Sequence, residues 1–399
     1  MSGLEDVGKS RKRKRPQVEE PLLEADPGNR RGQVAVRNTL RSASDLHEQV
    51  NTLLHHTNTP QRNTTAPAGR AKKSKKNPDN WTKRQRVERN GINFVDWDSS
   101  PAAIKEPINI ILNCYVPTPA QTEDLAKRAR EIRDGIKGEE MSECSLIARI
   151  QRYILPSFSS TSVLTNRENA NFIGGTEPKS LFAYERPDRW APITTPRADL
   201  VVGYKRKTWT EHELDLVPLS FDTRRLKTVA GVQCAQLVGE FKSSQNGGTT
   251  YVCITQAAGA SATCSNALAY LYDAVEPRAQ AGDAELLAKL KDCIVFGLVI
   301  DEFVAHITVT WRVASAASPA AQQTASAAAE KHSKAGHGQA KSGRKTKVPA
   351  INGFNFACVT GYMLYCEGQT IELLKAVEGI KQWMEGRFTD ITEAMRMIV

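Results

Sequence analysis

No apolar stretch in this 399-residue chain approaches the ~20 residues a membrane helix needs; the longest, Cys293 to Ile300, is eight. The opening residues, MSGLEDVGKSRKRKRP, contain no apolar run of the kind a secretory signal carries, so none is expected. The eight cysteines are scattered singly, and no CxxC pair occurs. Cys114, Cys253, Cys293 and Cys358 stand among apolar neighbours and read as reduced core residues of an intracellular protein. His55 and His56 are the only adjacent histidines and have no cysteine near them, which disfavours zinc. Several catalytic signatures are also missing. Gly174 to Ser180 (GGTEPKS) lacks the spacing of a phosphate loop, and no GxGxxG follows a strand. Gly259 to Thr263 (GASAT) lacks the second glycine of a nucleophile elbow.

What the chain does have is an uneven charge. The net charge is +10, with 54 Lys and Arg against 44 Asp and Glu. Residues 1–90 carry all of that excess, so the remainder is balanced. Residues 1–90 are polar and aperiodic and read as a disordered basic tail. Two runs stand out there, Arg11–Arg15 (RKRKR, followed by Pro16) and Lys72–Lys76 (KKSKK). Either suits a nuclear import receptor or a phosphate backbone, and a plain solvated tail is the alternative. Residues 314–350 are rich in Ala, Ser, Lys and Gln and read as a disordered insertion.

The rest, 91–399, reads as one mixed α/β domain interrupted by that insertion. Thr118-Pro119-Ala120-Gln121 starts a helix: a hydroxyl N-cap, Pro at the first helical position and Gln at the third. That helix is expected to reach Asp134. A second is expected from Ser142 to Leu155, with Glu143 on its inward face beside Ile147 and Ile150. Glu143 is either a carboxylate that must meet a cation or a first-turn acid favoured by the helix dipole. Strands follow at Leu200–Tyr204 and Cys234–Ser243, with a small-residue helix from Ala257 to Tyr272 and a short helix at Ala284–Lys291. Cys293–Ile300 and Phe303–Trp311 form a hairpin turning at Asp301-Glu302, its second strand alternating between two faces. Phe354–Cys366 returns to the sheet, and Ile371–Met384 closes it with a helix.

One constellation could do chemistry. Asp199 starts a strand. Glu240 and Lys242, two apart on the next strand, leave the same face, while Phe241 points into the core. Gln256 stands at the entry to the small-residue helix. Paired carboxylates suit a hard divalent cation, and an adjacent ammonium can orient water and stabilise charge on a phosphate. The same residues admit structural readings: an ion pair for Lys242, a turn for Asp199, a helix terminus for Gln256.

The set Pro196-Arg197-Ala198-Asp199, Glu240-Phe241-Lys242 and Gln256 resembles the PD-(D/E)XK nuclease superfamily. The surrounding text (PRADLVVGY, LVGEFKSSQNGGTTYVCITQAAGASATCSNALAYL and IELLKAVEGIKQWM) is similar to an uncharacterised fungal branch of it. The resemblance covers roughly residues 100–385 outside the insertion. It implies a restriction-endonuclease-like α/β fold, a central four-stranded mixed sheet flanked by helices in the order αβββαβ. It also implies that Asp199, Glu240 and the Phe241 carbonyl ligate Mg2+ or Mn2+, with Glu143 as a further acidic ligand. Lys242 would position the attacking water and Gln256 would orient the lysine or a phosphate. The expected function is metal-dependent phosphodiester hydrolysis in the nucleus, on DNA as the expected nucleic acid. The alternative is a silent nuclease-fold protein that binds nucleic acid or chromatin partners through its tail.

Overall fold

The computed structural model describes residues 83–136, 145, 148–149, 152–155, 158–173, 177–178, 193, 195–208, 222–242, 250–301, 303–313 and 353–398. The expected disorder of 1–82 and 314–350 and the position of Glu143 lie outside the described residues. Among the described residues the chain runs α1 (Lys83–Arg89), β1 (Ile92–Phe94), α2 (Ala102–Asn113), α3 (Pro119–Ile136), β2 (Leu164–Asn171), β3 (Arg197–Lys205) and β4 (Val232–Phe241). It continues through α4 (Thr250–Val275), α5 (Ala284–Leu290), β5 (Val295–Ile300), β6 (Val304–Val313), β7 (Gly353–Met363) and α6 (Glu367–Arg396).

The strands make one mixed seven-stranded sheet in the order β1-β7-β6-β5-β4-β3-β2. One end of it is a meander, β2–β3–β4, in which each strand is antiparallel to the last. Helices α4 and α5 then carry the chain over the sheet, so that β5 lies parallel to β4. β6 and β7 follow antiparallel, and β1 adds a short parallel edge beside β7. The five strands read from the sequence are therefore a subset, and the sheet is larger than the four-stranded one the resemblance implies. β2 escaped notice because its sequence, LTNRENAN, is polar and its pattern half exposed, as a sheet edge allows. β1 is only three residues long.

Local chemistry explains the long helices. The N-terminus of α3 forms the reciprocal cap read from its sequence: the Thr118 N–H donates to Gln121 Oε1 at 2.9 Å, and the Gln121 N–H to Thr118 Oγ1 at 3.4 Å. Helix α4 is built from Ala, Gly, Ser, Thr and Cys, which lets it lie close on β4, β5 and β6. Its buried hydroxyls find acceptors. Ser261 Oγ meets Thr310 Oγ1 at 2.6 Å, and Ser265 donates to the Cys293 carbonyl at 2.6 Å. The helix begins at Thr250, two turns earlier than its small-residue run predicts. On the other face, α6 buries Leu373, Val377, Ile380 and Met384 and packs against α2 and α3. The Tyr204 hydroxyl donates to the Met384 carbonyl at 2.7 Å, tying β3 to that helix.

The alternation read for β6 runs between two covered faces: His306, Thr308 and Thr310 are buried as fully as Ile307 and Val309. A strand in the interior of a sheet covered on both sides has no solvent face. Two readings need correction. Cys114 is exposed rather than a core residue. Ordered structure also starts upstream of residue 91, because α1 buries Val87 against the fold.

Candidate functional site

β4 and β5 are parallel, so their carboxyl ends stop together at one end of the sheet, where open α/β sheets offer a crevice to ligands. The start of β3 lies at the same end, because β3 runs against β4. The register that pairs Leu200 with Gly239 brings Asp199 beside Glu240. Asp199 is 8% exposed and Glu240 1%. Burying two carboxylates this deeply requires compensating partners.

The partners of Asp199 are specific. Its Oδ2 accepts the Phe241 backbone N–H at 2.7 Å and lies 3.5 Å from Lys242 Nζ. The Lys242 ammonium also donates to the Phe241 carbonyl at 2.9 Å. The Lys242 N–H donates in turn to the Ile300 carbonyl at 3.0 Å, which extends the β4–β5 ladder one residue beyond β4. Lys242 is thus held by backbone on one side and by a carboxylate on the other. Phe241 itself is fully buried, as its alternation predicts.

The first turns of α4 complete the surroundings. The Cys253 thiol donates to the Glu240 carbonyl at 2.9 Å. Burial pushes this thiol well above its ordinary pKa; Glu240 adds to the shift, Lys242 opposes it, and Asp199 and Asp301 add further. The thiol therefore lies within electrostatic reach of all four charged residues. Asp301, the first residue after β5, belongs to this end of the sheet as well. Its Oδ2 accepts the Thr250 hydroxyl at 2.7 Å, and its Oδ1 accepts the N–H groups of Phe303 at 2.9 Å and Val304 at 2.8 Å.

Asp199, Glu240, Phe241 and Lys242 are brought together as the spacing predicts. Gln256 is not a helix-start residue: it falls in the second turn of α4, and its buried Oε1 has no hydrogen-bond partner among the described residues. Glu143 lies outside the described residues. Asp301, Thr250 and Cys253 were missed as site neighbours. For Asp301 a signal existed, an acid directly after the apolar run Cys293–Ile300, but its length of separation from Glu240 hides their proximity.

As to a metal, no group of three or more His, Cys, Asp or Glu among the described residues is arranged to hold one. The donor set here is smaller: two carboxylates and one backbone carbonyl, all oxygen. That is the chemistry Mg2+ accepts, since it commonly takes one or two carboxylates and keeps several waters.

Comparison with known proteins gives one match. Residues 133–347, just over half of the chain, match the family described as Domain of unknown function (DUF7924). That span contains Asp199, Glu240, Lys242, Gln256 and Asp301. Neither the curated proteins nor the solved structures compared with the chain gave a match.

Proposed function

The chain belongs to the DUF7924 family, and from the geometry at the ends of β4 and β5 we propose that it is a metal-dependent phosphodiester hydrolase of the nucleus, acting on DNA. The observation that carries this reading is the placement of Lys242 Nζ 3.5 Å from Asp199 at the carboxyl end of β4, with Glu240 in the adjoining register position. The observed order α3–β2–β3–β4–α4–α5–β5 also supports it, because apart from the short α5 it follows the αβββαβ order that the restriction-endonuclease-like resemblance implies.

Asp199, Glu240 and the Phe241 carbonyl would hold Mg2+ or Mn2+, which supplies Lewis-acid stabilisation of a phosphoryl oxygen. The chain's own contribution is positioning. Lys242 is fixed by the backbone of its neighbours, so its ammonium keeps one direction without a large entropy cost. Such a group can hold a water by hydrogen bond and stabilise negative charge growing on a phosphate. Gln256 has a buried amide oxygen that lacks a partner. That oxygen can accept from a donor at the site, which suits an orienting role. Burial of Glu240 and Asp199 keeps bulk water from screening these interactions.

A second reading rests on a specific contact. Lys242 is already paired with Asp199 and the Phe241 carbonyl, a closed arrangement that a silent nuclease-fold scaffold would also need. Isothermal titration of Mn2+ into the intact chain separates the two. The hydrolase reading expects uptake and Mn2+-dependent cleavage of a plasmid, with cleavage lost in Lys242→Met while uptake remains. No uptake and no cleavage by the intact chain favours the scaffold.

Nuclear entry is proposed to reside in Arg11–Arg15, whose spaced cations fit an import receptor's acidic groove. Replacing all five by Ala should leave a fluorescently tagged chain in the cytoplasm; unchanged nuclear signal assigns entry to another segment.

A further inference from the structure

The basic excess of the sequence lies in residues 1–90, but the last part of that stretch is folded. α1 (KRQRVER) carries Lys83, Arg84, Arg86 and Arg89 against the single acid Glu88. Glu88 is occupied, because Arg84 Nε binds its carboxylate at 2.8 Å. The helix is anchored by Val87, which shares an apolar cluster with Ile92, Phe354, Cys253 and Ile254. Cys253 is the residue whose thiol reaches the Glu240 carbonyl. α1 therefore packs against the same early turns of α4 that border the Asp199–Glu240–Lys242 site. Arg84 and Tyr251, in the first turn of α4, lie within electrostatic reach of each other.

A second observation concerns the guanidinium groups themselves. Arg84 is 3% exposed, and its Nη1 has no hydrogen-bond partner among the described residues. The Nε of half-buried Arg86 is also buried without one. A buried donor left unpaired costs about 1–3 kcal/mol, more when charged. Arg84 is otherwise satisfied, by Glu88 and by the Phe94 ring beneath its guanidinium, so the open demand for an anionic acceptor falls on Arg86 and the exposed Lys83.

We propose that α1 is a phosphate grip for the nucleic-acid backbone, seated beside the catalytic end of the sheet, with Arg86 and Lys83 as its phosphate-contacting residues. This rests on the hydrolase reading for its substrate class. Arginine suits the role because its planar fork can bind phosphate oxygens in a bidentate way, whereas lysine contributes a point charge. In this arrangement α1 holds one stretch of backbone where Lys242 can act on it. A contact of this type carries no base readout.

The test is salt dependence. Binding of the full chain to a fluorescein-labelled DNA duplex is followed by anisotropy across a NaCl series, in EDTA so that no cleavage occurs. Lys83→Ala/Arg86→Ala removes two phosphate contacts and should flatten the slope of log K against log [NaCl] by about 1.8, at ~0.9 per contact. Arg86→Lys should retain most of the slope. Thermal melting of each variant checks folding, which is expected to persist because Val87 and Arg84 are untouched. An unchanged slope in a folded double variant overturns the proposal. The hydrolase reading fails separately: a flattened slope without any Mn2+ uptake keeps the grip and removes the catalysis, whereas an unchanged slope with Lys242-dependent cleavage does the reverse.

Discussion

Asp199 Oδ2 accepts the backbone N–H of Phe241 at 2.7 Å, a bond that crosses from β3 to β4 and fixes the residue immediately before Lys242. One carboxylate oxygen thereby serves the fold and the site together. It caps a backbone donor that would otherwise be buried and unpaired, and it sets the direction of the neighbouring ammonium. The register of β3 on β4 and the position of Lys242 are then the same structural fact.

Substitution at Asp199 should separate those two duties. Asp199→Asn retains an oxygen that can accept the Phe241 N–H, but it removes the charge that faces Lys242. Charge-assisted hydrogen bonds are roughly twice as strong as neutral ones, so a loss of about 1–2 kcal/mol is expected in urea unfolding. Asp199→Leu removes the acceptor as well and should cost more, since it leaves both the N–H and part of the ammonium unpaired. Mn2+ uptake should disappear in both. Retained uptake in Asp199→Asn would exclude Asp199 as a ligand.

The thiols predict a pH response. Cys234, Cys293 and Cys358 are each pushed up to about 12 by burial, and Cys253 and Cys264 are raised by the same cause. In the unfolded chain a thiol has a pKa of about 8.5. The folded state therefore holds these protons more tightly. Its advantage is complete below about pH 8.5 and is lost as pH rises from there through the folded values. Urea midpoints should stay level between pH 7 and 8 and fall from pH 9 upward. Iodoacetamide at pH 8 should label Cys114, which is exposed, and Cys366, which is half-buried, among the described cysteines. Labelling of Cys253 in the native state would mean that the site opens to solvent more readily than its packing implies.

The parts legible from sequence were those where a local rule and the tertiary environment agree. The Thr118–Gln121 cap is a local hydrogen-bond pattern and needs no distant partner. Cys293–Ile300 is an uninterrupted apolar run, and a parallel strand buried on both faces requires one. Asp199, Glu240 and Lys242 were legible because strand alternation fixes which side chains share a face. Elements set by long-range packing were not. α4 starts at Thr250 because its early turns bind what lies beneath, through Thr250 to Asp301 and Cys253 to Glu240. α6 runs to Arg396, well past Met384, because Met395 and Ile391 find a core that no periodicity within the helix reveals. The bond between Asp199 and Phe241 joins residues 42 positions apart, and no spacing rule announces it.

Two glycines in α6 should respond to the same substitution with opposite sign. Glycine in a helix interior costs roughly 0.5–1 kcal/mol relative to alanine, because its backbone loses more freedom on folding. Gly386 is exposed, and a Cβ added there would meet nothing within 4 Å. Gly386→Ala should therefore stabilise the protein by about that amount. Gly379 faces α2, and a Cβ there would lie 2.3 Å from the Ile111 carbonyl oxygen and 3.4 Å from Cys114 Sγ. The obstacle is backbone, which cannot rotate away, so the two helices would have to separate. Helix α2 already contains Pro107, and its Ile104, Ile108 and Ile111 side chains are buried in the core that α6 helps to close. Displacing it strains well-packed contacts, a cost of typically 1–3 kcal/mol for overpacking, which outweighs the helix-propensity gain. Urea unfolding of the two single variants measures both signs at once: a raised midpoint for Gly386→Ala and a lowered one for Gly379→Ala. A stabilised Gly379→Ala would mean that α2 and α6 do not approach this closely in solution.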